Sequence, residues 1–123
     1  RILLIKKFTL KYKRMMTMYA ININNLENCF RSAIDSDYNY VAVKIYMEGF
    51  ESDEIIVNPI ENAEAKLKYY KDTYNNDLTH KHAGDKIRIV GCTFGDSLAD
   101  IEEDFYDYNV ASKVILNDGE DDE

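Results

Sequence analysis

Tryptophan is absent from this 123-residue chain, proline occurs once, and cysteine and histidine occur twice each. The two cysteines, Cys29 and Cys92, stand far apart in separate apolar patterns. That spacing reads as reduced, buried thiols of a cytoplasmic protein rather than a disulfide framework. No apolar run approaches the roughly 20 residues that a membrane-spanning helix needs. A Walker lysine after a glycine-rich loop, a GxGxxG turn and a GxSxG elbow are all missing. Acid is missing from residues 1–14, which hold six of the fifteen bases, Arg1, Lys6, Lys7, Lys11, Lys13 and Arg14. The rest of the chain therefore sets nine bases against all twenty-three acids, a formal charge of −14.

That split divides the chain into a basic extension over 1–14, one domain over 15–116 and an acidic tail over 117–123. The extension fails as a signal peptide, because its apolar run is only Ile2 to Ile5, its bases follow that run, and no small-residue cleavage site appears. Three readings of it stay open: sequence upstream of a start in the cluster Met15, Met16 and Met18, a basic arm, or an extra edge strand. The tail has five acids in seven residues and reads as disordered. The length suits one core without metal or disulfide staples.

Within the domain the periodicity predicts the order helix, strand, strand, helix, strand, helix. Asn24 and Glu27 suggest a capping box for a first helix ending by Asp35, with Leu26, Cys29, Phe30, Ala33 and Ile34 on its apolar face. Alternation over residues 38–47 predicts a strand with Val41, Val43, Ile45 and Met47 on its buried side and Ala42, Lys44 and Tyr46 on a wetter one. Gly49 breaks it before a second strand over 54–58, giving a hairpin with a four- to six-residue loop. Asn58, Pro59 and Glu61 read as the start of a helix running to about residue 76, with the stripe Ile60, Ala63, Leu67, Tyr70, Tyr74 and Leu78. A third strand over 86–94 is apolar on both faces and is placed centrally. Ser97 and Asp100 then open a last helix over 98–108, with Leu98, Ile101, Phe105 and Tyr108 inward and Glu102, Glu103, Asp104 and Asp107 outward. Val114 to Leu116 could add a short fourth strand. The expected fold is α+β, a small three-stranded sheet with helices packed on it.

Chemistry-bearing clusters are few. His80 and His82, with Asp77 and Asp85 nearby, hold the side chains that suit a transition metal, but at a spacing that supplies no third or fourth ligand, so a solvated loop is the plainer reading and no metal or cofactor is expected. Cys92 with a histidine as base would be a thiol nucleophile, against the plainer reading of a core thiol. The segment 91–97 joins a strand to a helix, as phosphate loops do, but lacks their lysine and carries Asp96. Glu102 and Glu103 are adjacent and diverge on a helix, which makes a poor acid/base dyad. Tyr69, Tyr70, Tyr74, Tyr106 and Tyr108 suit the core or its boundary, and exposed members suit an interface.

Direct nucleic-acid binding is disfavoured, because the domain would repel phosphate and shows no basic stripe after Arg14. Its charge favours a basic protein partner and speeds encounter with one. An acidic helix can imitate a phosphate backbone. The expected contact set is Glu102, Glu103, Asp104, Asp107 and Tyr106.

The segments VAVKI from Val41, IIVNP from Ile55, LKYYK from Leu67, IRIVG from Ile87 and TFGDS from Thr93 resemble a family of small uncharacterised proteins of Firmicutes phages and mobile elements. The likeness covers about residues 41–103. It implies no catalytic role for any residue. By analogy of size, charge and source it implies an accessory protein that binds and blocks a host defence nuclease, as anti-CRISPR proteins do. The alternative is a metal-dependent or thiol enzyme, or a small-ligand module, built on the loop from His80 to Asp85 with Cys92.

Overall fold

The computed structural model describes residues 22–106 and 111–117. The basic extension, all but the first residue of the acidic tail, and the positions of Asp107 and Tyr108 lie outside the described residues. Among the described residues five strands form one mixed sheet, and helices pack on both of its faces.

Helix α1 spans Ile23–Asp35. Its cap is Asn22, two residues before the expected Asn24. The Asn22 side chain accepts from the Asn25 backbone at 3.0 Å, and the Asn25 side chain accepts from the Asn22 backbone at 3.0 Å. The box thus closes through an amide, a shorter acceptor than the glutamate the sequence suggested. Leu26, Cys29, Phe30 and Ala33 are buried, as their helical spacing requires.

Strand β1 (Tyr40–Met47) turns through Gly49, whose φ of +89° lies in the left-handed region, into β2 (Ser52–Pro59). The two pair antiparallel, with Val43 opposite Ile56. Asn58 and Pro59 do not start a helix. They finish β2, opposite Val41 and Tyr40, and Pro59 keeps an extended ψ of 147°. A 3₁₀ turn over Ile60–Asn62 follows, and then α2 over Ala63–Thr73. That helix ends three residues short of the expected point because residues 75–79 make their own turn. The Asp77 carboxylate accepts from the Thr79 backbone and hydroxyl, at 3.1 and 2.6 Å. Leu78 accommodates the turn with a φ of +68°, while its side chain is fully buried with Tyr74.

Two strands follow: β3 (Thr79–His80) is too short to leave a sequence signal, and β4 (Gly84–Gly95) pairs with both β3 and β1. The sheet order is β3-β4-β1-β2-β5, so the central strand is β1, and β4 stands second from one edge. Strand β4 is not apolar on both faces as expected: a register shift opposite Lys44 and Ile45 brings Ile87 and Ile89 onto the same face as Cys92 and Phe94, all against the larger core, and leaves Thr93 on the other face. Helix α3 is short, Leu98–Asp104, and Leu98 is exposed on it, contrary to the inward placement expected. Strand β5 (Ala111–Leu116) extends the expected apolar run and lies parallel to β2.

The alternation of the strands sorts their side chains into two cores. Val41, Val43, Ile45, Ile56, Ile89, Cys92 and Phe94 meet α1 and α2 on one face, where Phe30, Leu67 and Tyr70 complete the larger core. Ala42, Ile55 and Val57 point to the other face and are covered by Ile101 and Phe105, the latter following α3 directly. Each large apolar side chain so buried contributes about 1.5–3 kcal/mol relative to exposure.

Candidate functional site: an acidic helix face

The site begins at Gly95, where β4 ends. A Cβ built there would stand 2.9 Å from the Asp100 Cβ, so only glycine lets α3 fold back this closely onto the sheet. Ser97 caps the helix, its hydroxyl accepting from the Asp100 backbone at 3.2 Å. Segment 91–97 is therefore a strand end, a close packing point and a cap.

Of the five residues read as a contact set, the structure places three on the surface: Glu102 and Glu103, exposed on α3, and Tyr106, 67% exposed just beyond it. Asp107 lies outside the described residues. Asp104 is a correction. It is only 8% exposed, and its Oδ2 accepts from the buried Thr93 hydroxyl at 2.7 Å. The reason is helical spacing: Asp104 follows Ile101 by three positions and precedes Phe105, so it lies on the inward stripe and cannot meet a partner. That spacing is readable in the sequence, and placing every acid of the helix outward overlooks it.

Electrostatically the two sides of the sheet differ. On the α1 and α2 side, acids are matched to bases. The Arg31 guanidinium forks onto Glu64 at 2.6 and 3.0 Å, Lys71 meets Glu27 at 3.1 Å, and Lys68 meets Asp72 at 2.8 Å along α2. The hydrogen bond from Arg31 holds the Glu64 carboxyl below its ordinary value, and Lys68 does the same for Asp72. On the α3 side the matching among the described residues is sparser: Lys44 meets Asp53 at 3.9 Å, and its ammonium lies 5.8 Å from the Phe105 ring centre. From residue 89 to residue 112 the sequence has six acids and no lysine or arginine. Among the described residues neither Glu102 nor Glu103 has a cationic partner. The gap between Arg88 and Lys113 is visible in the sequence, but its concentration on one face needs the fold.

The other candidates come apart. His80 and His82 do lie together, with ring centroids 5.9 Å apart, and Tyr74 meets His80 edge-on at 5.3 Å. The His80 Nδ1, however, accepts from the backbones of His82 and Ala83 at 3.0 and 3.1 Å, which commits that nitrogen to the turn. Among the described residues no three metal-binding side chains form a group. Cys92 is buried in the main core, where burial and a hydrogen bond with Cys29 push its thiol well up and disfavour the thiolate a nucleophile needs. Of the tyrosines, Tyr70 and Tyr74 are core and Tyr69 packs at its boundary. Among the described residues no helix is long and apolar enough to cross a membrane. Compared with family models, curated proteins and solved structures, the chain matches none.

Proposed function

We propose that this chain is a non-enzymatic, acidic accessory protein of phage or mobile-element type that binds a basic host protein through the α3 face. A nucleic-acid-handling nuclease is the partner class that best suits such a face, since its own cationic groove is built to receive phosphates. The observation that carries the reading is the run from residue 89 to residue 112, with six acids and no lysine or arginine, whose Glu102 and Glu103 are exposed on α3 on the side of the sheet opposite the ion-paired helices. Glu102 and Glu103 supply exposed charge, Asp107 continues it in the sequence, and Tyr106 offers an aromatic anchor.

Capture from a Firmicutes lysate, followed by affinity measurement with the identified partner, tests this. Glu102→Lys with Glu103→Lys should weaken binding at least tenfold, mainly through a slower association rate. Affinity should also fall as salt rises. A partner bound equally well by the reversed variant, with no salt dependence, removes the reading.

A further inference from the structure

A second acidic feature lies at the end of the sheet, where β1 begins and β2 and β5 finish. A groove of about 320 Å³ is lined there by Asn39, Tyr40, Pro59, Ile60, Glu61 and Leu116. Its walls are held by backbone hydrogen bonds: Ile60 donates to the Asn39 carbonyl at 2.9 Å, and Asn117 to the Val57 carbonyl at 2.8 Å. The Asn39 amide is oriented by donating to the Asp96 carbonyl at 3.1 Å, which leaves Oδ1 as an acceptor. None of the six lining residues is a base, and among the described residues Glu61 has no cationic partner. From Leu116, at its rim, the sequence runs through Asn117 into Asp118 and four further acids.

The lining selects a ligand. An aromatic ring, an apolar wall of Pro59, Ile60 and Leu116, and an uncompensated carboxylate call for a flat cation on an apolar stem. We propose that the groove receives an arginine side chain of the basic partner, a proposal that rests on the binding role assigned above. The guanidinium stacks on Tyr40 and forks onto Glu61, and the methylene stem lies along Leu116. Lysine fits less well, because a strongly hydrated ammonium can neither stack nor fork. A groove of similar size between α1 and α2, about 270 Å³, makes no such demand. Its Glu64 and Asp72 already have Arg31 and Lys68.

The test is titration of the full chain with Nα-acetyl-arginine methylamide, followed by amide chemical shifts, with the lysine and citrulline analogues as controls. Saturable shifts at Tyr40, Ile60, Glu61 and Leu116 are expected, with a millimolar Kd suited to one side chain on an open groove. Citrulline, which keeps the shape and loses the charge, should not saturate. Glu61→Gln, a surface change that leaves the fold intact, should weaken arginine about five- to tenfold. The Glu102→Lys, Glu103→Lys variant should bind arginine as the unaltered protein does. Absence of saturation, equal response to citrulline, or loss of the shifts in the α3 variant overturns the groove. None of these results touches the partner-capture test, and a groove that takes arginine stands even where charge reversal on α3 leaves capture unchanged.

Discussion

Two neighbouring acids on one short helix have opposite fates. Glu103 faces solvent, and Asp104 is buried with its oxygen on the Thr93 hydroxyl. A buried carboxylate deprived of a donor loses a charge-assisted bond, whereas an exposed one loses only hydration it can replace. Thr93→Val should therefore cost about 1.5–3 kcal/mol by urea unfolding. Glu103→Gln should stay within about 0.5 kcal/mol. Equal effects would mean that Asp104 is satisfied without Thr93. At this scale the sequence was informative wherever spacing alone decides burial, as with Leu26, Cys29, Phe30 and Ala33 on α1. It misleads where charge alone suggests exposure, as at Asp104, and where a motif has two uses, as at Asn58. There the capping pattern is complete, yet the residue stays in β2, fully buried, with neither side-chain polar atom hydrogen-bonded among the described residues. Pairing with Val41 in the sheet outweighed the local cap.

Between elements, the contacts differ in what they tolerate. Helix α3 depends on a close approach. Gly95→Ala would set a Cβ against Asp100, so the helix must shift and its cover over Ala42, Ile55 and Val57 must loosen. The expected loss is about 1–3 kcal/mol, read as a lower urea midpoint with an unchanged slope. Helices α1 and α2 share a buried contact, Phe30 against Tyr70, and are tied at the surface by exposed ion pairs, whose contribution is screened and depends on pH. The Glu64 carboxyl is held below its ordinary value, chiefly by the Arg31 hydrogen bond. A depressed folded value means stabilisation that is present above the unfolded value, near 4.5, and is lost as pH falls through the folded one. Glu64→Gln should therefore be slightly less stable than the unaltered chain at pH 7, with the gap closing below pH 4.5. A gap that persists in acid would point to packing. Elements long enough to show a period were legible; β3, two residues long, and the parallel pairing of β5 were not, because neither leaves a local signal.

For the whole molecule the decisive quantity is where charge sits relative to the sheet. The formal charge is −8, and the stretch around α3 contributes only acid, while the opposite helices neutralise theirs with Arg31, Lys68 and Lys71. A surplus of negative charge makes two demands on salt that oppose each other. Like charges held close in the folded state repel, and added ions screen that repulsion, so stability should rise with salt. The attraction of the same surface for a basic partner is screened too, so affinity should fall. Between about 0.01 and 0.15 M salt the screening length shrinks from roughly 30 to 8 Å, enough to cut interactions across the face while leaving the Arg31–Glu64 contact largely intact. A rise in Tm of on the order of a few degrees is expected over that range, with partner dissociation accelerating little and association slowing strongly. The sign of the Tm change discriminates, because a surface whose acids are paired throughout would lose stability as its ion pairs are screened. If Tm falls with added salt, the acids of this chain are matched by its own bases, and none is left over for a partner.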